Sequence, residues 1–315
     1  MLNHMLTAVN AVLPSFLIIA LGLFVRSRGK LDDQSLGKFN SLAFRVFLPF
    51  QIFKNIYDSP MGEAFDLKLL VFGAVGLLLA GGLALLTAIL TEPRLERRGV
   101  MAQGMFRGNY VLLGMPLIES LFGSSGLGLA ALMIVVNIPL YNVLSVFFLE
   151  RYAGGETSAR RMLRDIVTNP LIDATLAGML AKAVNLPVYA LPPVGSALKS
   201  VSGVATPLCL FILGASFSLG GLKGAARSLW ITVAGRLVAV PVVTIAAAAL
   251  LGFRGPALGV IMVCFGAPTA VSSYNMAREI GGDADLAAGI VVVTTALSCV
   301  TLFCWIVLLK TLGLF

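Results

Sequence analysis

Thirty consecutive residues, Ser120 through Leu149, carry no charged side chain. Water gives such a run no solvated face, whereas a bilayer accepts it, since about 20 apolar residues span the hydrocarbon core. The rest of the 315-residue chain repeats the pattern: 58% is hydrophobic and 12% charged, against about a quarter charged in an average soluble domain. Mean hydropathy is +0.95. This composition excludes a soluble globular enzyme, a disordered chain and a nucleic-acid module. Lipid cannot satisfy an open backbone, so the apolar runs are expected to be helices. Charge-poor stretches predict ten of them, over 6–26, 35–56, 67–91, 100–121, 126–150, 166–184, 195–217, 227–251, 256–278 and 285–311.

The net charge of +8 is distributed unevenly along these segments. Odd-numbered loops hold fourteen basic residues, among them Arg26, Arg28, Lys30, Arg97, Arg98, Arg151, Arg164 and Arg278. The other side holds six: Lys54, Lys68, Lys182, Lys199, Arg254 and Lys310. Positive residues favour the cytoplasm, so the central loop is expected inside and both termini outside a cell membrane. The first apolar run lacks the basic start and small-residue cleavage site of a signal peptide and reads as a retained span. Cys209, Cys264, Cys299 and Cys304 form no CxxC pair and read as small apolar residues. His4 is the one histidine, which excludes a Ser–His catalytic site and a His-rich metal site. An intramembrane aspartyl protease would need two deep aspartates, and Asp173 alone qualifies.

The two halves echo one another. Pro14 precedes Gly22 by eight residues, and Pro170 precedes Gly178 by eight; Pro49 and Pro207 occupy the second helix of each half. Gly114-Met115-Pro116 in the fourth predicted helix is matched by Gly266-Ala267-Pro268 in the ninth. Proline removes a helix hydrogen bond and glycine permits dihedrals other residues avoid, so both helices are expected to break. Broken helices at matching positions of an inverted repeat are a signature of transporter binding sites. The division expected is 1–152 and 166–315 as repeats joined by a cytoplasmic linker, 153–165.

Several motifs resemble those of the auxin efflux carrier family, which includes plant PIN-type carriers and bacterial malate and malonate permeases. Asn109-Tyr110-Val111-Leu112-Leu113-Gly114-Met115-Pro116-Leu117 is similar to its N-x-x-x-x-G-x-P-L pattern and is followed by Phe122-Gly123. Ala267-Pro268 with Ala277-Arg278-Glu279, Thr168-Asn169-Pro170, Phe47-Leu48-Pro49, and Arg236-Leu237 with Pro241 are similar to further motifs. The resemblance covers the whole chain. It implies an all-α polytopic membrane protein with ten transmembrane helices in a 5+5 inverted repeat, crossed at broken helices 4 and 9, like bile-acid symporters and sodium/proton antiporters. Helices 1, 2, 6 and 7 would be a scaffold, often dimeric. Helices 3–5 and 8–10 would carry substrate by an elevator-like shift. Leu171 stands where the plant motif has a second asparagine, and Asp173 where it has tyrosine. Both departures weigh against auxin itself, so the expected substrate class is a small organic anion, a carboxylate such as malate or malonate, with auxin-like acids as the alternative.

Polar residues inside apolar runs are candidate sites. Asn109, before the first break, is a candidate substrate contact, together with Gly114, Pro116, Gly266 and Pro268 at the breaks themselves. Asn137 and Tyr141 share a helix face and form a notch with Asn142, read equally as site lining or interhelical contact. Ser272 joins the substrate set. Arg45 is an anion-binding candidate through its guanidinium; the alternatives are snorkelling to the inner face or pairing with Asp173. Glu119, one turn past the first break, is the leading candidate to take a coupling H+ or Na+, or else caps its helix. Asn142, Ser273 and Asn275 are secondary ion-coupling candidates, and Thr294, Thr295 and Ser298 a polar seam. Arg107 and Arg236, near predicted helix ends, read as structural. No cofactor is expected beyond Na+ as a candidate coupling ion. The overall expectation is a secondary transporter of small organic anions, with an uncoupled facilitator or a non-transporting receptor as alternatives.

Overall fold

The computed structural model describes residues 2–58, 66–153, 164, 168–217 and 224–315. Most of the predicted linker 153–165, with Arg160 and Arg161, lies outside the described residues, as does Lys223. The described chain is helical, in the order α1 (Leu2–Ser27), α2 (Asp33–Leu42), α3 (Leu48–Tyr57), α4 (Leu67–Thr91), α5 (Leu95–Phe106) and α6 (Met115–Tyr152, kinked at Gly123). It continues through α7 (Pro170–Ala183), α8 (Pro192–Ser216), α9 (Ala226–Ala234), α10 (Val240–Leu250), α11 (Gly255–Gly266), α12 (Ser272–Ile280) and α13 (Ala284–Thr311).

Local chemistry accounts for many of the boundaries. Asp32, Asp66, Asn169 and Asp283 cap α2, α4, α7 and α13 by accepting from Ser35 N, Leu69 N, Leu171 N and Leu286 N. Three wide π-helical turns, Ala43–Phe47, Tyr110–Gly114 and Gly235–Ala239, each end two residues before a proline: Pro49, Pro116 and Pro241. A proline ring would strike the carbonyl four residues back, here that of Arg45, Leu112 or Leu237. The widened turn moves that carbonyl aside, and Trp305 Nε1 donates to the freed Leu237 oxygen at 3.4 Å.

The expectation of ten transmembrane helices in a 5+5 inverted repeat is overturned. Among the described residues, five helices have the length and hydropathy of a span: Leu67–Thr91, Ser125–Tyr152, Pro192–Ser216, Ala226–Leu250 and Ala284–Thr311. Phe16–Ser27 and Gly255–Gly266 are shorter apolar helices. The segment 33–57 carries Asp33, Lys38, Arg45 and Lys54, and α7 has only 14 residues. The fourth and ninth predicted helices are cut into pieces, so α5, α11 and α12 measure 12, 12 and 9 residues. Charge-poor sequence identifies what is buried, but a break divides a buried run into helices too short to cross. The five spans make the chain a multi-pass membrane protein.

These short pieces occupy the interior. Every residue of Gly99–Phe106 in α5 and of Leu258–Gly266 in α11 is buried, while α4 turns Val71, Val75, Leu79 and Leu83 outward. α5 packs against α4 and α6, and α11 against α6 and α10. α1 and α8 meet backbone to backbone: a Cβ on Gly22 would collide with Phe211 O, and one on Gly214 with Ile19 O. Small residues permit this approach in membranes.

Candidate functional site

The two breaks pair with each other. Gly108 and Thr269 form an antiparallel bridge; Asn109 N donates to Pro268 O at 2.7 Å and Ala270 N to Arg107 O at 3.1 Å. A fragment of sheet between helices satisfies backbone groups that neither lipid nor a helix can serve. Thr269 secures it further, its hydroxyl donating to Gly104 O at 2.8 Å and its N–H to Thr294 Oγ1 at 3.2 Å.

Arg236, 0% exposed, clamps the same junction. Its Nε donates to Ala267 O at 2.6 Å, Nη1 to Phe106 O at 2.9 Å and Met105 O at 3.3 Å, and Nη2 to Cys264 O at 3.2 Å. These carbonyls lie at the C-terminal ends of α5 and α11, where the helix dipoles favour a cation. Only glycine fits at position 108, because a Cβ there would collide with Arg236 Nη2.

Arg107 is held differently. It is 5% exposed, with Nη2 donating to Asn142 Oδ1 and Ser272 Oγ, both at 3.0 Å. Nη1 donates to Met276 Sδ at 2.9 Å and Tyr141 O at 3.3 Å, and Nε has no partner among the described residues. Asn142 is oriented in turn by donating to Thr175 Oγ1 at 3.1 Å. Every group that accepts a hydrogen bond from Arg107 is neutral, and the ion pairs found among the described residues do not include it.

Arg107 forms part of the wall of a cavity of about 380 Å³. The cavity is lined by Gly108 to Val111 from the first break, Ala270 to Ser272 from the second, and Asn137, Tyr141 and Asn142 from α6. Ile138 from α6, Leu48, Gln51, Ile52 and Asn55 from α3, Leu171 from α7 and Thr206 and Cys209 from α8 complete it. The first turns of the helices that follow the breaks, at Tyr110 and Ser272, therefore face the same space as Arg107. Helix N-termini and a guanidinium both favour an anion.

Of the candidates read from sequence, Asn109, Asn137, Tyr141, Asn142 and Ser272 line this cavity. Tyr141 OH also donates to Cys264 O at 3.3 Å, tying α6 to α11. Neither amide atom of Asn137 has a hydrogen-bond partner among the described residues. Pro268 contributes its carbonyl to the bridge and Gly266 is buried at the second break. Gly114 is buried but helical, so the first break lies at Arg107–Asn109 and not at the expected Gly114-Met115-Pro116. The side chain of Pro116 lies outside the described residues. Ser273 and Asn275 are buried off the cavity, and Asn275 Nδ2 donates to Asn40 Oδ1 at 2.7 Å. Arg45, its side chain 69% exposed, pairs with Glu279 rather than Asp173, with Nε donating to Oε1 at 3.0 Å. Glu119 and Asp173 are exposed and do not line the cavity. Thr294, Thr295 and Ser298 direct their hydroxyls to carbonyls of their own helix.

Arg107, structural by its sequence position, also lines the cavity, as do Gln51, Asn55 and Thr206. The run Arg107-Gly108-Asn109 carries the signal for the first, a charge placed directly on a helix break. The α3 and α8 residues have no comparable signature.

A relative from Methanothermobacter thermautotrophicus, described as an uncharacterized transporter, is 26% identical over 310 residues, covering 95% of this chain and 98% of that protein. The family model described as "Membrane transport protein" matches residues 7–306, and the chain belongs to that family.

Proposed function

We propose that the chain is a secondary transporter that carries a small organic anion by alternating access, with the cavity at the paired breaks as its substrate site. The observation that carries this reading is Arg107, a buried guanidinium in the cavity wall whose partners are all neutral. An uncompensated buried charge costs several kcal/mol, of order, unless a counter-charge arrives, and a carboxylate substrate supplies one. Asn109, Asn137 and Ser272 stand beside it to orient the ligand.

The seam between α12 and α2 supports a moving body. Asn40, Ser41 and Arg45 face Asn275 and Glu279 there, and Ser41 Oγ donates to Glu279 Oε1 at 3.1 Å. Polar contacts of this kind exchange partners more readily than interlocked apolar side chains. Arg26, Asp33, Arg278 and Asp283 line a second pocket at that end, and Arg97 pairs with Asp283 at 2.7 Å. The gathering of basic residues supports a cytoplasmic placement for this end.

The test is uptake of labelled small carboxylates by vesicles reconstituted with the full chain, with and without Na+ and pH gradients. Arg107→Gln is expected to abolish saturable uptake while leaving the protein folded. Uptake by that variant equal to wild type would reject the site, and binding without any uptake would make the protein a receptor.

A further inference from the structure

We infer that the cavity selects a small monoanion whose other end is neutral and hydrogen-bonding, and that it rejects dianions. The inference rests on the reading of the cavity as the anion site. Arg107 is the only charged side chain among the described residues that line it. One carboxylate against this guanidinium leaves the site electrically neutral. A second carboxylate finds no second cationic side chain. Only the partial charge of the two helix starts is left to it among neutral and apolar walls, where an incompletely paired charge is disfavoured.

The wall contributed by α3 and α8 is polar without being charged. Gln51, Asn55 and Thr206 line it, and Gln51 Nε2 donates to Thr206 Oγ1 at 2.7 Å. Such amides and hydroxyls both donate and accept, so they match a carboxamide, a hydroxyl or a carbonyl elsewhere on the same ligand. They offer no cation to a second carboxylate. Leu48, Ile52, Ile138 and Leu171 occupy much of the remaining lining, which suits a short carbon chain between the two ends. The same arithmetic explains why the partner of Arg107 on α6 is an amide, Asn142: a carboxylate there would already occupy the guanidinium.

The experiment measures binding to the full chain in nanodiscs at pH 7.5, using malonamate, succinamate and glutaramate against the diacids of equal length. These pairs differ by one charge and almost nothing in size. Each amido acid is expected to bind about tenfold or more tightly than its diacid. Gln51→Lys, or Asn55→Lys should the first misfold, adds a second cation to the lining from α3 and is expected to reverse the preference at one chain length or more. A diacid that binds wild type as tightly as its amido acid, or a preference that neither lysine variant moves, overturns the inference. Loss of binding in Arg107→Gln would still uphold the anion reading in that case. Neutral succinamide binding as well as succinamate, or no binding by either series, would instead sink the anion reading and the inference with it.

Discussion

Arg107 and Arg236 meet at Gly108: Arg107 is its chain neighbour, and Arg236 Nη2 fills the space a Cβ would take. Both guanidiniums are buried and neither has a carboxylate partner among the described residues. Arg236 is nevertheless satisfied, because its hydrogen bonds run to the negative ends of two helices. Arg107 faces two helix beginnings and a cavity, an environment that does not compensate a cation.

This contrast predicts opposite outcomes for matched substitutions. Arg236→Gln removes the clamp and leaves buried carbonyls at the ends of α5 and α11 unpaired, at about 1–3 kcal/mol for each group. The variant should lose several degrees of thermal stability in detergent or fail to accumulate. Arg107→Gln removes a buried charge that lacks a counter-ion, which is neutral or stabilising by this logic. Its melting temperature should equal or exceed wild type while anion binding disappears. The same stability loss in both variants would show that Arg107 too is structural.

Gly108→Ala tests the junction from its other side. The new methyl meets Arg236 Nη2 and lies close to Cys264 O, so either the clamp or the Gly108–Thr269 bridge must shift. Overpacking of this kind costs about 1–3 kcal/mol. The expected result is a lower melting temperature together with impaired uptake, measured on the same preparation. Unchanged stability would mean that the paired breaks are more pliable than the packing indicates.

How much of this was legible in the sequence follows from what each residue does locally. The second break is legible in Gly266-Ala267-Pro268, because glycine and proline act on their own backbone. Gly114-Met115-Pro116 instead stays helical, and the first break falls earlier, at Arg107–Asn109. Caps at Asp32, Asp66 and Asp283 act within three residues. The helix count was misread because hydropathy reports burial and is indifferent to whether a buried run is continuous. Arg45 was read as an anion site from its type, yet its partner, Glu279, lies 234 residues away. Arg107 reads as structural in the sequence because the feature that marks it, the lack of any charged partner, exists only once α5, α6 and α12 are assembled. Gln51 and Thr206 come together only through the packing of α3 on α8.

Breaking the Arg45–Glu279 pair should change motion more than stability. The pair is exposed on the arginine side, and such pairs contribute at most about 1 kcal/mol. Glu279→Gln retains acceptor capacity for Ser41 but loses the charge that holds Arg45. Melting temperature is expected to stay within a few degrees of wild type, and the rate of uptake to change while ligand affinity does not. A large loss of stability would mark the seam as a fixed joint instead of a sliding one.

Asn142→Asp is the most pointed test of the site. Asn142 Oδ1 accepts from Arg107 Nη2 at 3.0 Å, so the aspartate places a carboxylate against the guanidinium with no change of shape. The ion pair neutralises the cavity, and an incoming carboxylate then finds no free charge. Asn142 Nδ2 also donates to Thr175 Oγ1; the aspartate instead accepts from that hydroxyl, which gives up its bond to Leu171 O. Folding should therefore survive, with thermal stability near wild type, while binding of the anion panel falls about a hundredfold or more, about 2.7 kcal/mol. Thr175→Val, which removes the orienting contact and the hydroxyl's own bond to Leu171 O but leaves the Arg107 charge unpaired, is expected to weaken binding far less. Full anion affinity in the aspartate variant would show that Arg107 does not meet the substrate.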